Sequence, residues 1–238
     1  MIPRRNLKKE IPWQRNAMIE QDMIISRVLV DLYNQPSIRE NLIFRGGTAL
    51  NKLFIKPPAR YSEDLDFVLV EEKPIGFLMD AIKEVMSWLG KPRTTRDKWG
   101  FKVIYPFENI DGGKSRLKIE TNSIENFKYN PLQRIPFSIE SNWFSGSTSV
   151  ISYDLEELMG TKLRALYQRR KGRDLFDVWY VFSKGLVDIK NVVQIFHAYN
   201  TYNGVKITKK QFIQNLELKK DNKDFRQDIR ILLPLDTD

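Results

Sequence analysis

Two carboxylates set one residue apart at the start of an apolar run are the strongest chemical signal in the chain. Asp64 and Asp66 stand in Ser62-Glu63-Asp64-Leu65-Asp66-Phe67, which runs on into Val68, Leu69 and Val70. Side chains alternate along a β-strand, so the two aspartates share one face while Leu65 and Phe67 take the other. Like charges held together raise each other's pKa unless a cation lies between them. A divalent cation is the simplest remedy, and hard oxygen ligands suit Mg²⁺ or Mn²⁺, above all where phosphate oxygens complete the shell. The alternative is a solvated strand end whose carboxylates face water, since Asp-x-Asp is a short string.

Three further groups bear on that choice. Gly46 and Gly47 precede Thr48 at the head of a short helical stretch, so consecutive amides can be offered to a phosphate without a clashing Cβ. Thr48 could cap the helix or donate its hydroxyl, although tight turns also use glycine pairs routinely. Glu120 lies on a later strand and shares a face with Lys118, Arg116 and Lys114. If that strand neighbours the one carrying Asp66, Glu120 brings a third carboxylate to a metal and Lys118 offsets charge beside it; otherwise the row is the polar face of an edge strand. Finally, Lys162 on one predicted helix and Asp174 on the next either reach a nucleotide or form a salt-bridge network with Arg173 that ties the helices together. Asp177 falls one turn after Asp174 on the same helix face.

The elements that must position these groups follow from periodicity. Met18, Ile19, Met23, Ile24, Val28, Leu29 and Leu32 form a helical stripe that ends before Pro36. Residues 42–44 read as a short buried strand or helix end, and the half of YSEDLDFVLV after the carboxylates as a strand. PIGFLMDAIKEVMSWLG is an amphipathic helix stopped by Gly90. FKVIYPF and SRLKIETN look like antiparallel neighbours joined through Asp111-Gly112-Gly113. QRIPFSIE is extended, and residues 144–149 read as a Gly/Ser-rich link. From Asp154 onward four segments place apolar residues three or four apart, which predicts four helices. The expected class is α+β: a mixed sheet with helices over residues 1–150, then a helical half over 151–238.

Composition narrows the chemistry. With 238 residues and 42% hydrophobic content, the chain can bury a core. It has no cysteine, which excludes a disulfide framework, a zinc-thiolate site and a thiol nucleophile. Its one histidine, His197, sits in a helical apolar pattern and cannot build a multi-histidine site. A net charge of +9, beginning with the basic stretch MIPRRNLKKEIPW, favours polyanionic partners without identifying one. No stretch approaches the roughly twenty apolar residues of a membrane span, and the expectation is a cytoplasmic protein.

RGGTALNKLF, ARYSEDLDFVL, RLKIETN, DLEELMGTKLRAL and RRKGRDLFDVWYV, in that order, resemble the AbiEii-type toxin nucleotidyltransferases of the polymerase-β-like superfamily. The resemblance covers roughly residues 20–200 and implies a nucleotidyltransferase-like sheet followed by a helical domain that completes the active-site cleft. It implies that Gly46 and Gly47 belong to a phosphate-side loop, with Thr48, Ser62, Lys118 and Lys162 also on the nucleotide. Asp64 and Asp66, with Glu120 as third carboxylate, would coordinate Mg²⁺ or Mn²⁺; aspartate is the commoner residue at the third position. Lys162 and Asp174 match the lysine and aspartate implicated in activity.

The reaction implied is attack by an acceptor hydroxyl on the α-phosphate of an NTP. Lys162, the basic turn at 169–173 and, more weakly, Arg60 are the cations available to stabilise the charge that develops. By resemblance the acceptor is an RNA such as tRNA, and the chain is the toxin of a toxin-antitoxin or phage-defence pair with a separately encoded antitoxin. Two rivals are an NTP-binding partner protein without transfer activity and an enzyme modifying a small molecule such as an antibiotic.

Overall fold

The computed structural model describes residues 2–7 and 11–234; Lys8 and Lys9 of the basic start lie outside the described residues. The chain divides into two compact units. The first runs to Asn126 and takes in Leu132–Ser152, and the second joins Phe127–Pro131 to Tyr153–Leu233.

In the first unit the order is α1 (Asn16–Tyr33), α2 (Pro36–Arg39), β1 (Leu42–Arg45), α3 (Gly46–Ala49), β2 (Asp64–Leu69), α4 (Gly76–Val85), β3 (Arg93–Asp97), β4 (Gly100–Glu108), β5 (Lys114–Asn122), β6 (Gln133–Ile139) and β7 (Gly146–Ser152). A π-helical stretch, Leu50–Phe54, continues α3. The strands form one seven-stranded sheet in the order β3-β4-β5-β2-β1-β7-β6. The β2–β5 and β1–β7 pairs are parallel, and the remaining pairs antiparallel. FKVIYPF and SRLKIETN are therefore antiparallel neighbours, as their sequences suggest.

One face of this sheet is apolar because the alternation demands it. Leu65, Phe67, Val103, Tyr105, Leu117 and Ile119 are all buried. The α1 stripe packs on that face: the Tyr33 and Phe67 rings lie 6.3 Å apart, and the Tyr33 hydroxyl lies 3.0 Å from the Leu42 carbonyl and 3.1 Å from that of Ile151. The helix is thereby fixed across β1 and β7. Burying a side chain as large as Phe67 stabilises the fold by roughly 1.5–3 kcal/mol.

Two segments depart from the sequence expectation. Residues 144–149, read as a link, lead into and form most of β7, whose pairing with β6 and β1 outweighs its poor Gly/Ser strand propensity. Residues 93–97 form β3, an exposed polar strand at the sheet edge held by β4.

The second unit is helical: α5 (Leu155–Gln168), α6 (Gly172–Ser183), α7 (Ile189–Tyr202), α8 (Lys209–Lys220) and α9 (Lys223–Gln227). Asp154 caps α5, accepting from the Glu157 amide at 2.7 Å. The buried Glu157 carboxylate accepts from the Tyr129 and Asn130 amides and from the Tyr199 hydroxyl, at 2.7, 2.9 and 2.7 Å, which binds 127–131 to the helices. Lys219 closes the far end of α5 by donating to the carbonyls of Leu166 and Tyr167.

Candidate active site

The polar face of the sheet carries two rows of in-register residues. One crosses β2, β5, β4 and β3 as Asp64, Lys118, Ile104 and Arg93. The other crosses β1, β2, β5 and β4 as Arg45, Asp66, Glu120 and Lys102. Because in-register residues on paired strands project to the same side, the alternation that buries Leu65 and Phe67 gathers Asp64, Asp66, Lys118 and Glu120 on the other face. The condition for a third carboxylate is met, since β5 lies directly beside β2.

The charges within the group are unevenly shared. Lys118 Nζ lies 3.0 Å from Asp64 Oδ2 and 2.5 Å from Glu120 Oε2, and Lys102 Nζ lies 2.6 Å from Glu120 Oε1. Burial alone would raise the Glu120 pKa, but the two lysines hold it below the usual carboxylate value. Burial likewise opposes the charge of Lys118, and Glu120 and Asp64 outweigh it, so the ammonium pKa is raised. Asp66 has no such partner, and among the described residues no ion pair reaches its side chain. Burial, then repulsion from Asp64 and Glu120, raises its pKa, and Arg45 and Lys118 offset this only in part. Arg45 is itself engaged by Glu125 at 3.0 Å.

Gly46 and Gly47 close the group from the side. Gly46 has φ +81°, and a Cβ there would lie 2.6 Å from Asp66 Oδ2. At Gly47 a Cβ would meet the Arg60 guanidinium at 2.3 Å and Ser62 Oγ at 3.3 Å. Glycine is thus required at 46 both by conformation and by the approach of the backbone to Asp66. The Thr48 hydroxyl contacts Ser62 Oγ at 2.8 Å and donates to the Asp64 carbonyl. These contacts tie the glycine turn to the first residue of β2. Thr48 itself is buried and Ser62 half-buried. Arg60 is buried and donates to the Tyr61 carbonyl at 2.9 Å.

In the helical unit, Lys162 pairs with Asp174 Oδ1 at 3.1 Å and with Asp177 Oδ2 at 2.9 Å. Arg169 adds two bonds to Asp174, at 2.7 and 2.9 Å. Lys162, Asp174 and Asp177 are all buried. A salt-bridge network, one of the two readings open from sequence, is therefore present, with Arg169 in the place given there to Arg173, which instead lies against Asp228.

Among the described residues no group of three His, Cys, Asp or Glu side chains is arranged to hold a metal ion. The Lys118 ammonium stands between Asp64 and Glu120. Sequence reasoning missed Lys102 and Arg45. Lys102 follows from the alternation of β4 once its register with Glu120 is known, and Arg45 directly precedes the glycine pair.

Residues 27–238 match the family described as nucleotidyl transferase AbiEii toxin, type IV TA system. The chain belongs to this family. Among solved structures it is similar to MenT4, a nucleotidyltransferase toxin from Mycobacterium tuberculosis, with 19% identity and a TM-score of 0.56 over 75% of this chain. The match covers 63% of the MenT4 chain, less than two thirds of it. A nucleotidyltransferase-like protein from Paracoccidioides brasiliensis matches with 13% identity and a TM-score of 0.42, covering 90% of this chain and 94% of that one. No curated protein matches at a significant level. At such identity the MenT4 likeness establishes a shared fold, and family membership rests on the sequence match.

Proposed function

We propose that the chain transfers a nucleotide from an NTP to an acceptor hydroxyl. The attacking oxygen forms a bond to the α-phosphorus, the bond to the bridging oxygen breaks, and pyrophosphate leaves. The carrying observation is the in-register pairing of Asp64 with Lys118 and of Asp66 with Glu120, with Gly46 against Asp66. Family membership and the MenT4 fold support the same reading.

The donor chemistry fits a hard divalent cation at Asp64 and Asp66. Two carboxylates share a face and, among the described residues, no ion pair reaches Asp66, so Mg²⁺ or Mn²⁺ would offset the burial and repulsion that raise its pKa. When bound, that ion supplies charge neutralisation to the triphosphate. Glu120 is the third potential ligand, and two lysines engage it as the chain stands. Held ionised, Glu120 can orient the acceptor hydroxyl and take its proton. Lys118 would exchange a carboxylate for a phosphate oxygen, and the amides of Gly46 and Gly47, with Thr48 and Ser62 beside them, would line the triphosphate. Lys162 and Asp174 enter as activity residues on the resemblance, and their mutual ion pair is the contact through which they would act or be held.

An RNA such as the 3′ end of a tRNA is the acceptor favoured by the net charge of +9. On this reading, which the toxin-antitoxin description of the family supports, the chain acts in the cytoplasm beside a separately encoded antitoxin. Incubation with total RNA, Mg²⁺ and each labelled NTP in turn should label RNA, and the folded D64A/D66A variant should not. Labelling that persists in that variant removes the aspartates from the site. Labelling confined to a protein or a small molecule overturns the RNA acceptor.

A further inference from the structure

We infer that a groove across β3, β4 and β5 is a binding track for the backbone phosphates of a single-stranded RNA acceptor. This deepens the transfer reading and rests on it. The groove has a volume of about 720 Å³, and its lining includes Arg93, Lys114, Arg116, Ile104, Pro106 and Glu63. The register explains why these residues meet. Ile104 stands between Arg93 and Lys118 in the row that ends at Asp64, and Pro106 pairs with Arg116 one step along. Along β5, same-face residues repeat about every 6.8 Å, so Arg116 and Lys114 carry positive charge away from Lys118 in regular steps. An extended nucleic acid strand presents its phosphates at a comparable interval.

The charges of this track differ from those beside the aspartates. Lys118 and Lys102 are occupied by carboxylates, whereas Arg93, Lys114 and Arg116 are exposed and, among the described residues, carry no ion pair. Among the described residues Glu63 is the one carboxylate in the lining, against three cations. Ile104 and Pro106 supply an apolar floor between these charges. The groove is also braced: buried Gln21 donates to the Arg116 carbonyl at 2.9 Å and the Glu63 carbonyl at 3.2 Å, fixing the start of β5 beside the approach to β2. In the basic turn at 169–173, by contrast, Arg169 is bonded to Asp174, and Lys171 and Arg173 lie against Asp228, which leaves Arg170 alone outside an ion pair among the described residues.

The test measures binding, so that it stands apart from transfer activity. Anisotropy of a labelled single-stranded RNA is followed against salt for the full chain, for R93A/K114A/R116A, and for K190A/K206A/K210A, which removes the same charge from exposed sites elsewhere. With about 0.7 counterions released per phosphate contact on a single strand, loss of three contacts should flatten the log K against log salt slope by about 2. RNA affinity in the groove variant should fall at least tenfold at low salt, while the control stays within about twofold. R93K/K114R/R116K, which keeps the charge, should bind as the parent does. NTP affinity, measured by calorimetry, should be unchanged in the groove variant. Unaltered RNA affinity and slope in that variant, an equal loss in the control, or a loss confined to NTP would each overturn the track. An RNA that the parent chain does not bind would do so as well. A parent that binds RNA through the groove and labels nothing would instead count against the transfer reading alone.

Discussion

Asp66 and Glu120 are register partners on neighbouring parallel strands, yet their electrostatic settings are opposite. Two lysines hold the Glu120 pKa down, while burial and two nearby carboxylates push that of Asp66 up. The strand pair thus holds one carboxylate, next to the glycine turn, whose charge is opposed by its surroundings and only partly offset by Arg45 and Lys118.

That imbalance predicts a trade of stability against activity at Asp66. A group with a raised folded pKa contributes stability below its unfolded value and loses it as pH rises through the folded value. Above its raised folded pKa, ionised Asp66 is therefore a net cost when no cation is bound. Asp66→Asn should raise Tm by a few degrees in chelator and abolish nucleotide labelling, and added Mg²⁺ should raise the Tm of the parent but not of the variant. A variant less stable than the parent in chelator would mean that the repulsion is already relieved.

Gly46 and Gly112 separate conformational strain from crowding. Both have positive φ, at +81° and +79°, but a Cβ at 112 meets nothing within 4 Å, whereas at 46 it strikes Asp66. Each alanine variant should cost roughly 1 kcal/mol for the left-handed backbone. Only Gly46→Ala should also lose NTP affinity, by at least tenfold if the Asp66 carboxylate is displaced. Calorimetry of NTP binding beside thermal melts decides it. Equal behaviour of the two variants would detach the glycine turn from nucleotide binding.

The carboxylate face was legible because strand alternation is a strict period: Asp64 and Asp66 must share a side, and Lys118 and Glu120 likewise. What joined the two strands was not, since the β2–β5 pairing spans more than fifty residues and nothing in either segment states its partner. β3 was invisible because all five residues are exposed, leaving no apolar alternation to read. β7 was misread for a different reason: its glycine and serines have poor strand propensity and are held by pairing with β6 and, at Ser152, with the distant β1. In the helical unit the four long helices followed their periodicity, but the docking of 127–131 through Glu157 did not, because a buried glutamate that accepts backbone amides looks in sequence like any first-turn acid.

Lys162 makes a sharp case for separating fold from chemistry. Its ammonium is buried between Asp174 and Asp177, and removing one member of such a cluster strands the others, at a typical cost of 3–5 kcal/mol. Lys162→Ala should therefore lower the stability of the helical unit by roughly 3 kcal/mol. Labelling must be scored per folded molecule, at a temperature where the variant is folded. Activity that returns to the parent level after this correction assigns Lys162 to structure. Activity that stays at least a hundredfold down assigns it to the reaction.

The same cluster sets an acid limit. Burial opposes the charge of Asp174, but Lys162 and Arg169 outweigh it and bring its pKa from 3.8 down to about 2. A depressed folded pKa means that the stabilisation is fully present above the unfolded value, near 3.8, and is lost as pH falls through about 2. The shift corresponds to about 2 kcal/mol, since each unit is worth about 1.4 kcal/mol. Denaturant melts followed by helical circular dichroism should show this contribution constant from neutrality to about pH 5 and declining between about pH 4 and pH 2. In Asp174→Asn the pH dependence over that window should be flatter by about the same amount, on a lower plateau. A parent and variant that lose stability in parallel would show that other carboxylates, not Asp174, govern acid unfolding of the helical unit.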